Sequence, residues 1–135
     1  MSLAALPLTV IPFILYNLLI ILGFEMSSSF VGDGIPMLSG GLLKLTWGDL
    51  LILIAMVMLF IEIVKATYTG TASMLNHGLS MLVFIAFLVQ FLLVGQAATS
   101  VFFLLMMAAL IDVIAGFTIG IRVAKRDIGF GAGEQ

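Results

Sequence analysis

Five residues with chemistry to offer lie inside otherwise apolar stretches of the chain: Asn17, Glu62, Lys65, Gln90 and Asp112. An ionisable side chain near the centre of a membrane helix costs at least about 2.5–3.5 kcal/mol, so each must be neutral, paired or wet. At the helical rise, Asp112 lies roughly 14 Å inward from the end of its stretch, and Glu62 about 6 Å inward from its own. Lys65 follows Glu62 at i+3, the spacing of a same-face ion pair. Gln90 and Asn17 fall at roughly 20 Å on the same scale. Sorted by depth, the five make a ladder from Lys65 through Glu62 and Asp112 to Gln90 and Asn17. Two chemistries fit it. In one, Asp112 is neutral, or paired with Lys65 and hydrogen-bonded to Gln90 or Asn17, and the network sets helix register; such interhelical bonds average only about 0.6 kcal/mol. In the other, the ladder is a half-pathway for protons or cations. The polar residues thin out above mid-bilayer, beyond Gln90 and Asn17, which argues against a complete pore.

The remaining reactive side chains point to no catalysis. His77 is the sole histidine and sits beside Asn76 and Ser80, a setting for interfacial hydrogen bonding; alone it supplies at most one axial haem ligand. There are no cysteines, hence no disulfides, thiolate metal sites or catalytic thiols. The sequence contains no P-loop, no Ser/His/Asp set and no metal-binding carboxylate cluster. No enzyme activity, cofactor or metal is expected. The nine methionines and eleven phenylalanines read as packing.

The elements that must position these residues are membrane helices. The chain is 63% hydrophobic and 9% charged over 135 residues, with a mean hydropathy of +1.34. Soluble domains average about 25% charged residues, so lipid is the solvent to reason with. Four stretches reach the roughly 20 apolar residues that a span needs: about Leu3–Gly23, Trp47–Thr67, His77–Val94 and Ala98–Ile121. The expected fold is an all-α membrane protein, a four-transmembrane-helix bundle over residues 1–126 with a flexible, Gly-rich cytoplasmic tail at 127–135. Gly23 closes the first span, Thr46-x-x-Asp49 opens the second as a capping box, Gly70 follows it, Gly95 ends the third, and Thr99 or Ser100 caps the fourth. Pro12 is expected to bend the first helix and free a carbonyl near Asn17. The N-terminus has no basic residue and no cleavage signature, so the first stretch is expected to stay in the mature protein. Between the first two spans, Ile35 to Leu45 carries apolar arms around Ser39-Gly40-Gly41, which fits a small extracytoplasmic β-hairpin on the membrane surface or a short re-entrant loop.

Periodicity assigns faces. Ala109, Asp112, Gly116 and Gly120 share one face of the fourth helix and include a Gly-x-x-x-Gly, so this face is expected to meet another helix closely. Gly48, Ala55 and Glu62 repeat every seven residues along the second. Trp47 and Tyr68 sit at span ends, where amphipathic rings prefer the interface.

Arg122, Lys125, Arg126 and Lys65 all fall on one side of a four-span chain, and only Lys44 on the other, which places both termini in the cytoplasm. Three segments, Thr46-Trp47-Gly48-Asp49-Leu50-Leu51, Glu62-Ile63-Val64-Lys65-Ala66-Thr67, and Asp112-Val113-Ile114-Ala115-Gly116-Phe117 running on to Arg126-Asp127, resemble a group of small, uncharacterised four-transmembrane-helix inner-membrane proteins of Gram-negative bacteria. The resemblance implies that architecture and a bacterial inner (cytoplasmic) membrane location, and no activity. Net charge is −2, which suggests no nucleic-acid partner. The expected partners are the lipid bilayer and either further copies of the chain or other membrane proteins. The expected role is a non-enzymatic scaffold or accessory subunit of a homo-oligomer or larger membrane complex. The alternative is a small proton- or cation-coupled transporter or channel using Asp112 and Glu62. A lipid- or quinone-binding accessory subunit of an electron-transfer complex ranks third.

Overall fold

A computed structural model describes residues 5–68 and 71–133, with the side chains of 71, 72, 124 and 126–133 left aside. The chain runs α1 (Val10–Ile21), β1 (Ile35–Pro36), β2 (Leu42–Leu43), α2 (Trp47–Lys65), α3 (Thr71–Leu93), a 3-10 turn (Gly95–Ala97) and α4 (Ser100–Gly133). Among the described residues, three helical stretches are long and apolar enough to cross a membrane: Trp47–Lys65, Ser73–Leu93 and Ser100–Val123.

The first span departs most from expectation. Only 12 of its residues are helical, a length of about 18 Å. Pro12 is the reason, and it acts by truncation rather than by bending. A proline lacks the N–H that would bond the carbonyl four residues back, and its ring clashes with that carbonyl. Helix therefore does not extend upstream through Leu8. Val10 and Ile11 instead donate to Pro7 O and Leu8 O in tighter turns, at 3.2 and 3.0 Å. Pro12 sits in the first turn of α1, where no helical donor is lost. At the other end Gly23, with φ of +89°, lets Phe24 N donate back to Leu19 O at 2.9 Å, a Schellman stop.

The other boundaries follow local chemistry. The capping box of α2 forms as read: Asp49 N donates to Thr46 Oγ1 at 3.1 Å and Thr46 N to Asp49 Oδ2 at 3.0 Å. Thr99 starts α4, accepting from Phe102 N at 3.1 Å. α3 begins at Thr71 rather than His77, because Asn76 and Ser80 turn inward, where both are buried. α4 continues to Gly133 past Ile121, since Arg122, Ala124, Lys125 and Arg126 are good helix formers and a membrane boundary does not itself stop a helix. Residues 127–133 are thus helical where a frayed tail was expected. Met1–Ala4 and Gly70 lie outside the described residues.

The 24–46 segment forms the hairpin, with Ile35 opposite Leu43 and Pro36 opposite Leu42. Gly40 N donates to Met37 O at 3.0 Å and Met37 N to Gly41 O at 2.8 Å. Gly40, at φ +89°, supplies the left-handed residue that a three-residue hairpin loop needs. Leu38 stands fully exposed at the tip. The flanks of the loop close over the start of α2: Phe24 and Phe30 put their rings 5.0 and 5.6 Å from Trp47, and Gly48 N donates to Met26 O at 2.9 Å.

α4 is the hub, packing most extensively against α2 and α3, while α1 lies mainly on α2. The core is Tyr16, Leu51, Ala55, Phe87, Ala97, Phe102, Leu105, Met106 and Ala109. Phe102 sits at its centre, with ring centroids 4.9 Å from Tyr16 and 5.3 Å from Phe87. Tyr16 also ties α1 to the α3–α4 turn: its hydroxyl donates to Gln96 O at 2.9 Å and lies 2.9 Å from Thr99 Oγ1. α2 and α4 approach closely at Gly48, where a Cβ would stand 2.5 Å from Val101 Cγ2 and 3.1 Å from Met26 O.

Gly48→Val should therefore overpack this crossing and destabilise the protein by about 1–3 kcal/mol. Gly78, in α3, has nothing within 4 Å of a Cβ, so Gly78→Ala should hold stability or raise it by up to about 1 kcal/mol through helix propensity. Thermal unfolding of both variants in one detergent checks the pair; equal stabilities would refute the crossing.

Candidate functional site

Truncating α1 leaves residues 6–9 outside regular helix, with backbone groups that the helix does not pair. Three polar side chains take them up. Lys65 Nζ donates to Leu6 O at 2.7 Å, and Asn76 Nδ2 donates to the same carbonyl at 3.1 Å. Leu8 N donates to Glu62 Oε1 at 2.8 Å, and Lys65 Nζ donates to that oxygen at 2.9 Å. The i,i+3 ion pair exists as expected, but its two members also clamp the segment leading into α1. Glu62 is buried because α2 turns Gly48, Leu51, Ala55 and Glu62 into the bundle.

Asp112 reaches the same region from α4. The hydroxyls of Ser80 and Thr9 come up to its carboxyl, and Glu62 and Lys65 lie within electrostatic reach. Its helical face, Ala109–Asp112–Gly116, is buried. The two glycines are filled by a ring, not by a neighbouring helix backbone. A Cβ on Gly116 would stand 3.0 Å from His77 Nδ1, and one on Gly120 2.9 Å from His77 Nε2. Phe117 covers the imidazole at a centroid distance of 5.5 Å. His77 is thus a packing element between α3 and α4.

Gln90 and Asn17 form a separate pair. Gln90 Nε2 donates to Asn17 Oδ1 at 2.6 Å, and Asn17 Nδ2 donates to Gln90 Oε1 at 3.2 Å and to Phe13 O at 2.9 Å. From Ser80, beside Asp112, to Gln90 is about 15 Å along α3. The helix between them buries Phe87 against Phe13 and Phe102. The ladder is therefore two stations with an aromatic floor between them. The Asn17 side chain bonds its own helix's Phe13 carbonyl, so no proline-freed carbonyl is needed to hold it.

Thr9 and Tyr16 carry no sequence signal that would have singled them out. Asn76 and Ser80 do: they stand at i and i+4 on an apolar helix, a polar face that demands a buried partner. Among the described residues no group of three or more His, Cys, Asp or Glu side chains is arranged to hold a metal ion.

Gly116→Leu should disrupt folding or assembly, because the added side chain occupies the imidazole's place. His77→Ala clears that space, so the double variant should recover much of the loss. Ile114→Ala, on the exposed face, should be mild. Size-exclusion profiles and thermal unfolding of the set check this; an unrescued double variant would show that the glycines serve something other than the ring. Compared with known proteins, the chain matches no family model, no curated protein and no solved structure.

Proposed function

We propose that the chain is a non-enzymatic four-span membrane protein, a scaffold or accessory subunit of a homo-oligomer or larger complex, related to the small inner-membrane proteins of Gram-negative bacteria that its motifs resemble. α1 alone is too short to cross a hydrocarbon core of about 30 Å. Its leading segment extends it. Leu6 bonds Lys65 at the end of α2, while Phe24 meets Trp47 at the beginning. Residues 6–24 thus run the whole height of α2, about 26 Å from Gly48 to Lys65. That geometry supports a fourth crossing, an even span count and cytoplasmic termini, with Lys65, Arg122 and Lys125 on one side.

The observation that carries the scaffold reading is where the intramembrane polar groups are used. Lys65, Glu62 and Asn76 hold the chain's own backbone, and Asn17 and Gln90 hold each other. A conducting path needs polar groups that continue across the bilayer; here an aromatic layer separates the two stations. Both small-residue seams are consumed inside the chain, which removes them as docking faces. A partner or lipid would meet instead the apolar outer surfaces, such as Leu53, Val57 and Phe60 on α2. The unpartnered carboxylate oxygens of Glu62 and Asp112 favour a second reading, a small proton- or cation-coupled transporter.

Reporter fusions at Gln135 and Gly40 should report opposite compartments, the former cytoplasmic; a shared compartment would defeat the four-span topology. In proteoliposomes the purified protein should carry no proton or cation flux. Asp112→Asn, which still hydrogen-bonds, should remain assembled, and Asp112→Leu should not. Flux that disappears in both Asp112→Asn and Glu62→Gln would establish the transporter instead. A mild-detergent pull-down with mass spectrometry then identifies the partner.

A further inference from the structure

Among the described residues, four buried side-chain polar atoms have no hydrogen-bond partner: Thr9 Oγ1, Glu62 Oε2, His77 Nε2 and Asp112 Oδ2. They belong to one neighbourhood. Glu62 bonds Leu8 N through its other oxygen, and the next residue, Thr9, brings its hydroxyl near Asp112 without closing a hydrogen bond to it. Glu62 in turn lies within electrostatic reach of both Asp112 and His77. Thr9, Glu62 and Asp112 are only 3%, 2% and 4% exposed. Unsatisfied buried polar groups are uncommon in native proteins, and several together call for an explanation.

The charges supply it. The groups facing the two carboxylates are Lys65 from α2, His77 from α3, and the hydroxyls of Ser80 and Thr9; residues 5–9 bring no titratable side chain. Lys65 binds Glu62 Oε1, leaving Oε2 without a partner. With both carboxyls ionised and the imidazole neutral, two carboxylates and one ammonium leave one negative charge in excess. A buried charge without a counter-charge is strongly unfavourable. One positive charge balances the cluster, whereas a divalent ion overshoots it. The three orphan oxygens, two of carboxylates and one of a hydroxyl, are hard donors, suited to a small hard cation. His77 Nε2 is turned to Gly120 and is not part of the donor set.

We propose that Glu62 Oε2, Asp112 Oδ2 and Thr9 Oγ1 form a binding site for one small monovalent cation, either sodium or the proton that competes with it. Sodium bridges α2, α4 and the segment leading into α1, whereas a proton held on one carboxyl oxygen joins it to one neighbouring oxygen; either removes the excess charge beside residues 6–9 and ties that segment to the bundle. Binding needs no passage, so the site stands apart from the scaffold reading: occupancy is measured at equilibrium and movement as flux.

The test uses the full-length protein in detergent micelles and a hydrophobic carbodiimide, which modifies protonated buried carboxyls, with peptide mass spectrometry to map adducts at Asp112 and Glu62. Labelling is expected at one or both and should rise as pH falls. If sodium is the ligand, NaCl suppresses labelling saturably at fixed pH and choline chloride at equal ionic strength does not. If the proton alone is the ligand, labelling follows pH and ignores NaCl. Thr9→Val removes the hydroxyl with little change of shape and should shift the midpoint of whichever titration is seen. An unmoved midpoint in Thr9→Val overturns the site. So does an absence of labelling at both carboxylates, together with infrared spectra in which no protonated carboxyl and no sodium-induced change separates wild type from Asp112→Asn.

Discussion

The fold depends on satisfying the backbone of Leu6 to Thr9. Helices are favoured in lipid because they pair every backbone donor and acceptor within the segment. Pro12 denies that solution to the residues before Val10, and an unsatisfied peptide group in an apolar medium costs several kcal/mol. Lys65, Asn76 and Glu62 remove the deficit at Leu6 O and Leu8 N. Lys65 and Glu62 of α2 and Asn76 of α3 are thereby explained by a neighbour's irregular backbone. Side chains that look expensive in their own helices are the condition on which the first segment can run alongside them.

The same constraint organises the rest. Because the leading segment docks at the end of α2, α1 must run antiparallel to it, and Tyr16 and Asn17 then meet the far end of α3 and its turn into α4. α4 becomes the central helix, in contact with both α2 and α3. Its small residues serve two different close approaches: Ala109 admits the apolar core, and Gly116 and Gly120 admit the flat face of His77. Small-residue motifs in membrane helices are usually taken as places for another helix. Here the occupant is a ring from the adjacent helix, which brings a polar atom to the edge of the Glu62–Asp112 cluster.

That cluster differs in kind from the Asn17–Gln90 pair. The two amides exchange donors and acceptors and are balanced in both hydrogen bonds and charge. The Glu62–Asp112 group is balanced in neither, since it keeps unpartnered oxygens and an excess of acceptors. A bound cation resolves both deficits at one point, between the segment and the helices that it must join.

Much was legible in the residues themselves. Hydropathy alone identified the apolar helices, because burial of an apolar surface is a property of composition and length. The capping box of Thr46 and Asp49, the stop at Gly23, the Glu62–Lys65 pair and the turn at Gly40 are local, formed by residues within a few positions of each other. The inward faces of α2 and α4 followed from periodicity, since small and polar side chains recurred at helical spacing. What the sequence could not determine depends on distant parts of the chain. Leu8 and Glu62 are 54 positions apart, and Asn17 and Gln90 are 73 apart. The depth ladder joined five residues by height alone, but height along separate helices does not specify which side chains meet; packing divided them into two stations. Pro12 was recognisable as a break, yet whether it bent a helix or ended one depended on partners for the backbone that it released. Only the tertiary structure supplied those partners, because a hydrogen bond is decided by which atoms come within about 3 Å, and one-dimensional pattern carries no such distance.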